Sequence, residues 1–98
     1  MTLVSYDDEV RQRQWRATLA LVVRSAWTYS TDALCVSHSV QLHRELTALC
    51  VILRREMVMA NVDVFDVDSA LDTLRAHTDT PIARMRSAYE TLSGITRK

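Results

Sequence analysis

Glycine and proline are nearly missing from this 98-residue chain, which holds one of each, Gly94 and Pro81. Without a glycine-rich stretch it cannot build the loops that cradle phosphates or dinucleotides. The acids Asp63, Asp66, Asp68 and Asp72 lack the central glycine and the closing bidentate Glu of an EF-hand loop. They read as helix-capping acids in a solvated turn. Cysteine occurs only at Cys35 and Cys50, too few for a disulfide framework, and both read as buried thiols in a reducing compartment. Lysine is confined to Lys98, so nearly all positive charge is guanidinium, suited to docking carboxylates and phosphates. The formal net charge is zero, which excludes bulk attraction to nucleic acid or anionic lipid. Long apolar runs are missing too: residues 17–23 and 46–53 fall far short of the ~20 residues of a membrane span. No secretory signal is apparent, and Asp7, Asp8 and Glu9 do not suit an acid-poor mitochondrial presequence. The expectation is a soluble intracellular or organellar-matrix protein.

What is present is helical periodicity. In the first stretch Trp15, Leu19, Val22 and Ala26 recur at steps of four, three and four, with Val23 and Trp27 beside them. The acids at 7–9 sit where a helix dipole favours them, and Ser5 with Asp8 resembles a capping box. Residues 29–32 form a polar cluster able to turn the chain or cap the next helix. Leu42, Leu46, Leu49, Leu53 and Met57 make the cleanest stripe, widened by Cys50 and Val51. Asp63 and Asp66 are candidate N-caps for a third helix striped by Val64, Val67, Leu71 and Leu74. Thr80 and Pro81 mark the firmest boundary, an N-cap followed by proline at the first helical position. Ile82, Met85, Tyr89 and Leu92 then give a last stripe, and Gly94 suits its C-terminal cap. The spacing predicts one all-α domain over residues 1–98, with helices near 7–29, 32–60, 66–77 and 81–93. An antiparallel hairpin plus one or two shorter helices would form a three- to four-helix bundle. A chain of this length buries only roughly 60–65% of its unfolded surface. Its 48% hydrophobic content therefore favours a tight bundle or a partner covering one face.

Catalytic chemistry finds little footing. Cys35 and His38 lie one helical turn apart, as one pair, and His43 and Cys50 share a different face. A closed zinc site needs four convergent ligands, so these residues read as thiols and surface imidazoles. Ser37, His38 and a distant acid do not assemble into nucleophile, base and orienter. The chain reads as a non-enzyme with no intrinsic cofactor.

Two arginine-centred signatures remain. The first runs from Glu9-Val10 to Trp15-Arg16-Ala17 and Leu19; the second is Arg54-Arg55-Glu56-Met57, followed by Asn61 and Asp66. As a pair, they resemble the mitochondrial LYR-motif proteins over about two-thirds of the chain. In that family a Leu-Tyr-Arg tripeptide in the first helix precedes a small residue and a leucine. An Arg-rich turn with a Phe, then Asn and Asp, closes the second helix. Here Gln14 stands at the family's leucine, Trp15 at its Tyr, Arg16 at its Arg and Met57 at its Phe, and Thr80-Pro81 interrupts a third helix that is usually unbroken. The resemblance implies a small adaptor that binds the mitochondrial acyl carrier protein. The carrier's acyl-phosphopantetheine would enter between the helices, and its acidic surface would meet basic residues. The pair would serve a larger mitochondrial matrix assembly: a respiratory complex, iron–sulfur assembly or the mitochondrial ribosome. By this transfer Arg16, Arg54 and Arg55 would contact the carrier, and Trp15 and Met57 would line the bundle.

Two other readings stand beside it. Residues 64–71 look like the loop and third helix of a histone-type fold, which would make the chain a nuclear or cytoplasmic heterodimer component with nucleic-acid contacts. Zero net charge disfavours strong phosphate binding. The third reading is a helical structural subunit of a large assembly, docked through Met57, Met59 and the leucine stripe.

Overall fold

A computed structural model describes residues 6–32 and 35–97. It is an all-α bundle of four helices, with no strand among the described residues: α1 (Tyr6–Asp32), α2 (Val36–Met59), α3 (Phe65–Arg75) and α4 (Pro81–Thr96). α1 packs on α2 and α4, α3 packs on α2 and α4, and α1 and α3 stay apart on the diagonal. Cross-helix contacts give the directions. Gln12 and Thr18 of α1 meet Ala60 and Glu56 at the end of α2, so these two run antiparallel. His43 of α2 meets Leu74 near the end of α3, while Arg54 meets Asp68 near its start. Trp27 of α1 meets Tyr89 of α4, while Trp15 lies near Ile95. The chain therefore runs up, down, up and down, with α1 and α2 outlasting the shorter pair.

The apolar stripes explain this arrangement. Leu19, Val22 and Ala26 of α1, Leu46, Cys50, Leu53 and Met57 of α2, Val67, Leu71 and Leu74 of α3, and Met85, Ala88 and Leu92 of α4 form one buried cluster. Such a stripe at helical period can leave water only against another stripe, and a bundle supplies one for each. The buried hydroxyls of Ser30, Ser39 and Ser93 donate to carbonyls of their own helices, those of Trp27, Val36 and Glu90. Each polar group thus enters the core already satisfied.

Helix ends depart from the sequence reading in several places. α1 continues through the polar cluster at 29–32 to Asp32. α2 begins at Val36, with Cys35 as its N-cap; the Cys35 thiol is exposed, not buried, and its sulfur accepts from the His38 amide. Neither Asp63 nor Asp66 caps α3. Its N-cap is Val64, which makes no side-chain cap bond, and Asp63 Oδ1 accepts from the Phe65 amide at 2.9 Å one step earlier. Thr80 caps α4 through its hydroxyl and Pro81 follows in its first turn. Ser5, proposed for a capping box, lies outside the described residues. Trp27 belongs to no buried ridge: it is 56% exposed and leans on Tyr89 with ring centroids 5.3 Å apart.

Gly94 is not a C-cap but an interior residue of α4, which ends at Thr96 with Arg97 as cap. A Cβ built there meets nothing within 4 Å. Gly94→Ala is therefore expected to stabilise the chain by roughly 0.5–1 kcal/mol, the helix penalty of glycine. A higher urea midpoint at unchanged slope would show it.

Candidate functional site

The end of α2 builds the site from its own backbone. Asn61 adopts φ 58, the left-handed region that Asn tolerates better than most residues. The Val62 amide donates to the Met57 carbonyl at 2.9 Å, and the Asn61 amide donates to the Val58 carbonyl at 3.1 Å. These are the two reversed bonds of a Schellman motif, which brings the residue after the left-handed one onto the last turn. Val62 and Met57 thereby share a wall. Trp15 of α1 and Ile95 of α4 complete a cavity of about 250 Å³, with Asp63 and Asp66 also lining it.

Polar bonds hold α1 in register with this end. The Trp15 indole Nε1–H donates to Gln12 Oε1 at 2.9 Å, and Gln12 Nε2 donates to the Ala60 carbonyl at 2.9 Å. One turn on, the Thr18 hydroxyl lies 2.8 and 2.9 Å from the two Glu56 carboxylate oxygens. The relay ties the first signature to the second and satisfies a carbonyl that the helix end would otherwise leave orphaned.

The sequence-derived site residues are thus partly gathered. Trp15, half-buried, and Met57, 1% exposed, line the same cavity. Arg16 is exposed, with its guanidinium carbon 5.5 Å from the Trp15 ring centroid, a cation–π distance. It also lines an open polar groove with Glu9, Gln12, Arg13 and Asn61. Arg55 is exposed on the outer side of α2. Arg54 turns toward α3 and forms an ion pair with Asp68 at 2.5 Å. Arg16 on α1 and Arg54, paired with α3, therefore do not share a patch, since α1 and α3 lie on the diagonal. Gln12, Thr18, Glu56, Val62 and Ile95 were missed by sequence reasoning. Glu56 and Asn61 stood within the second signature, but nothing there marked them as a partner of Thr18 or as the left-handed residue of the turn.

The remaining chemistry-bearing groups sit apart. Among the described residues no three His, Cys, Asp or Glu side chains converge as metal ligands would. Burial pushes the Cys50 thiol up to about 12. The Ser37 hydroxyl and the His38 amide hold the exposed Cys35 thiol below its ordinary value. His43 is half-buried, not a surface residue. Its Nε2 and Arg84 Nη1 both approach the Leu74 carbonyl, at 2.5 and 3.1 Å, closing the end of α3. Burial lowers the His43 pKa, partly offset by the bond to Leu74 and reinforced by the Arg84 charge. Because a carbonyl can only accept, Nε2 is the donor in this contact.

No known protein family, curated protein or solved structure matches this chain. No helix among the described residues is long and apolar enough to cross a membrane.

Proposed function

We propose that the chain is a non-enzymatic adaptor of the LYR type. It takes the acyl-phosphopantetheine arm of an acyl carrier protein and serves, with that carrier, as subunit or assembly factor of a mitochondrial complex. The supporting observation is the meeting of Trp15 and Met57 on one cavity, with the guanidinium groups of Arg16 and Arg55 accessible to an acidic partner. At about 250 Å³ the cavity falls just below the roughly 300–1,000 Å³ of drug-sized sites. It admits the end of an acyl chain rather than its whole length. Each methylene buried there contributes about 0.8 kcal/mol, a useful supplement for a small bundle. Asp63 and Asp66 make the cavity wall partly acidic, so the arm's phosphate stays outside it. Arg16 and Arg55 are the groups left to meet phosphate or carboxylate; Arg54 joins them only by leaving Asp68.

Co-expression with the mitochondrial acyl carrier protein, followed by affinity purification and intact-mass analysis, tests this. The acylated carrier is expected to co-purify. Arg16→Glu combined with Arg55→Glu is expected to lose it while the far-ultraviolet circular dichroism stays unchanged. A wild-type chain that captures no carrier, or a folded double variant that keeps it, overturns the proposal.

A further inference from the structure

The outer face of α2 carries a second pattern, separate from the buried stripe. Gln41, Glu45, Ala48, Ile52, Arg55 and Met59 recur at steps of four, three, four, three and four, and all six are exposed. This is the alternation of a coiled-coil seam, yet nothing among the described residues covers it. Ile52 is 47% and Met59 55% exposed. Glu45 and Arg55 take no part in the ion pairs of the described chain.

We infer that this face is a homodimer surface, on which two copies of α2 pair antiparallel about a twofold axis level with position 50. An antiparallel seam sets each of its positions against the one equally far beyond its centre. Ala48 then lies against the partner's Ile52, small against large, and the twofold repeats the contact. Glu45 lies against the partner's Arg55, so two opposite-charge pairs flank the apolar centre. Gln41 meets the partner's Met59 at the wet ends. A twofold interface must be complementary to itself, and this face is so in size and in charge.

The outer face of α1 makes the comparison that singles out α2. Val10, Gln14, Ala17, Leu21 and Arg24 are exposed at the same steps. Antiparallel pairing there would set Gln14 against the partner's Arg24, with no opposite charge to fix register. A one-helix seam is small, below the roughly 1,200 Å² of a standard interface, so dissociation falls in about the micromolar range.

This inference does not rest on the adaptor reading, although both draw on Arg55. Glu45 belongs to the seam alone, so its substitution separates the two. Sedimentation equilibrium of the full chain over a concentration series is the measurement. Wild type is expected to pass from monomer to dimer. Glu45→Arg places like charges face to face and is expected to weaken the dimer at least about tenfold. Arg55→Glu alone is expected to do the same, and the charge-swapped double variant restores dimerisation. Ile52→Glu abolishes it, whereas Leu21→Glu on α1 leaves it intact. A wild-type chain that stays monomeric throughout the series overturns the inference. So does a dimer that survives both Glu45→Arg and Ile52→Glu, or one that only Leu21→Glu dissolves. Carrier capture by Glu45→Arg persists if the adaptor reading holds, whatever becomes of the dimer.

Discussion

Replacement of Leu53 by alanine is expected to lower the unfolding free energy by about 3 kcal/mol, within the roughly 2–5 kcal/mol seen for buried leucines. Leu53 is fully buried, and its cluster draws side chains from all four helices. The loss has two parts: the transfer energy of the deleted methine and its two methyl groups, and a cavity that four packed helices cannot close. A chain of this size has about 5–15 kcal/mol of total stability, so one substitution removes a large share. For a domain of 60–100 residues each kcal/mol shifts the melting temperature by about 4–8 °C. The expected drop is therefore roughly 12–24 °C. Urea unfolding with an unchanged slope would assign the loss to the folded state. A loss below about 1 kcal/mol would mean that Leu53 does not join the four helices.

Ala88→Asp is expected to do more damage, and with a dependence on pH. Ala88 is fully buried in α4, and the cluster around it consists of apolar side chains. An uncompensated charge in such a place costs about 3–5 kcal/mol, a large share of a total of about 5–15 kcal/mol. Desolvation raises the new carboxyl's folded-state pKa above its unfolded value. Between those two values the folded state binds more protons than the unfolded state, so stability falls as pH rises. The variant's urea midpoint should accordingly rise toward that of wild type as pH is lowered toward the ordinary carboxylate range of about 4. A variant as stable as wild type at pH 7 would place residue 88 at the surface.

Much of this could be read from spacing. The stripe from Leu42 to Met57 and the shorter ones in α3 and α4 name most of the core, because a helix's apolar period is a local property of its sequence. The α3/α4 break was equally local, since Thr80 and Pro81 need only each other and Ala83 to start a helix. Trp27 was misread because period alone cannot say how far along α1 its neighbour extends. Cys35 was misread because a cap lies outside the periodic segment. Gly94 has the residue type of a helix C-cap but sits inside α4, whereas the left-handed position that closes α2 belongs to Asn61.

Helix class and most of the inward face of each helix were therefore set by the order of residues alone, while the choice between three and four helices stayed open. The tertiary structure decided which inward faces meet, and with them the site. Trp15 and Met57 share a cavity only because α1 and α2 are antiparallel and a Schellman turn returns Val62 onto Met57. Arg54 is committed to Asp68 only because α3 lies beside α2. Both depend on long-range partners brought together by burying apolar area, a force without direction. Periodicity reports that a face must be covered and carries no record of what covers it.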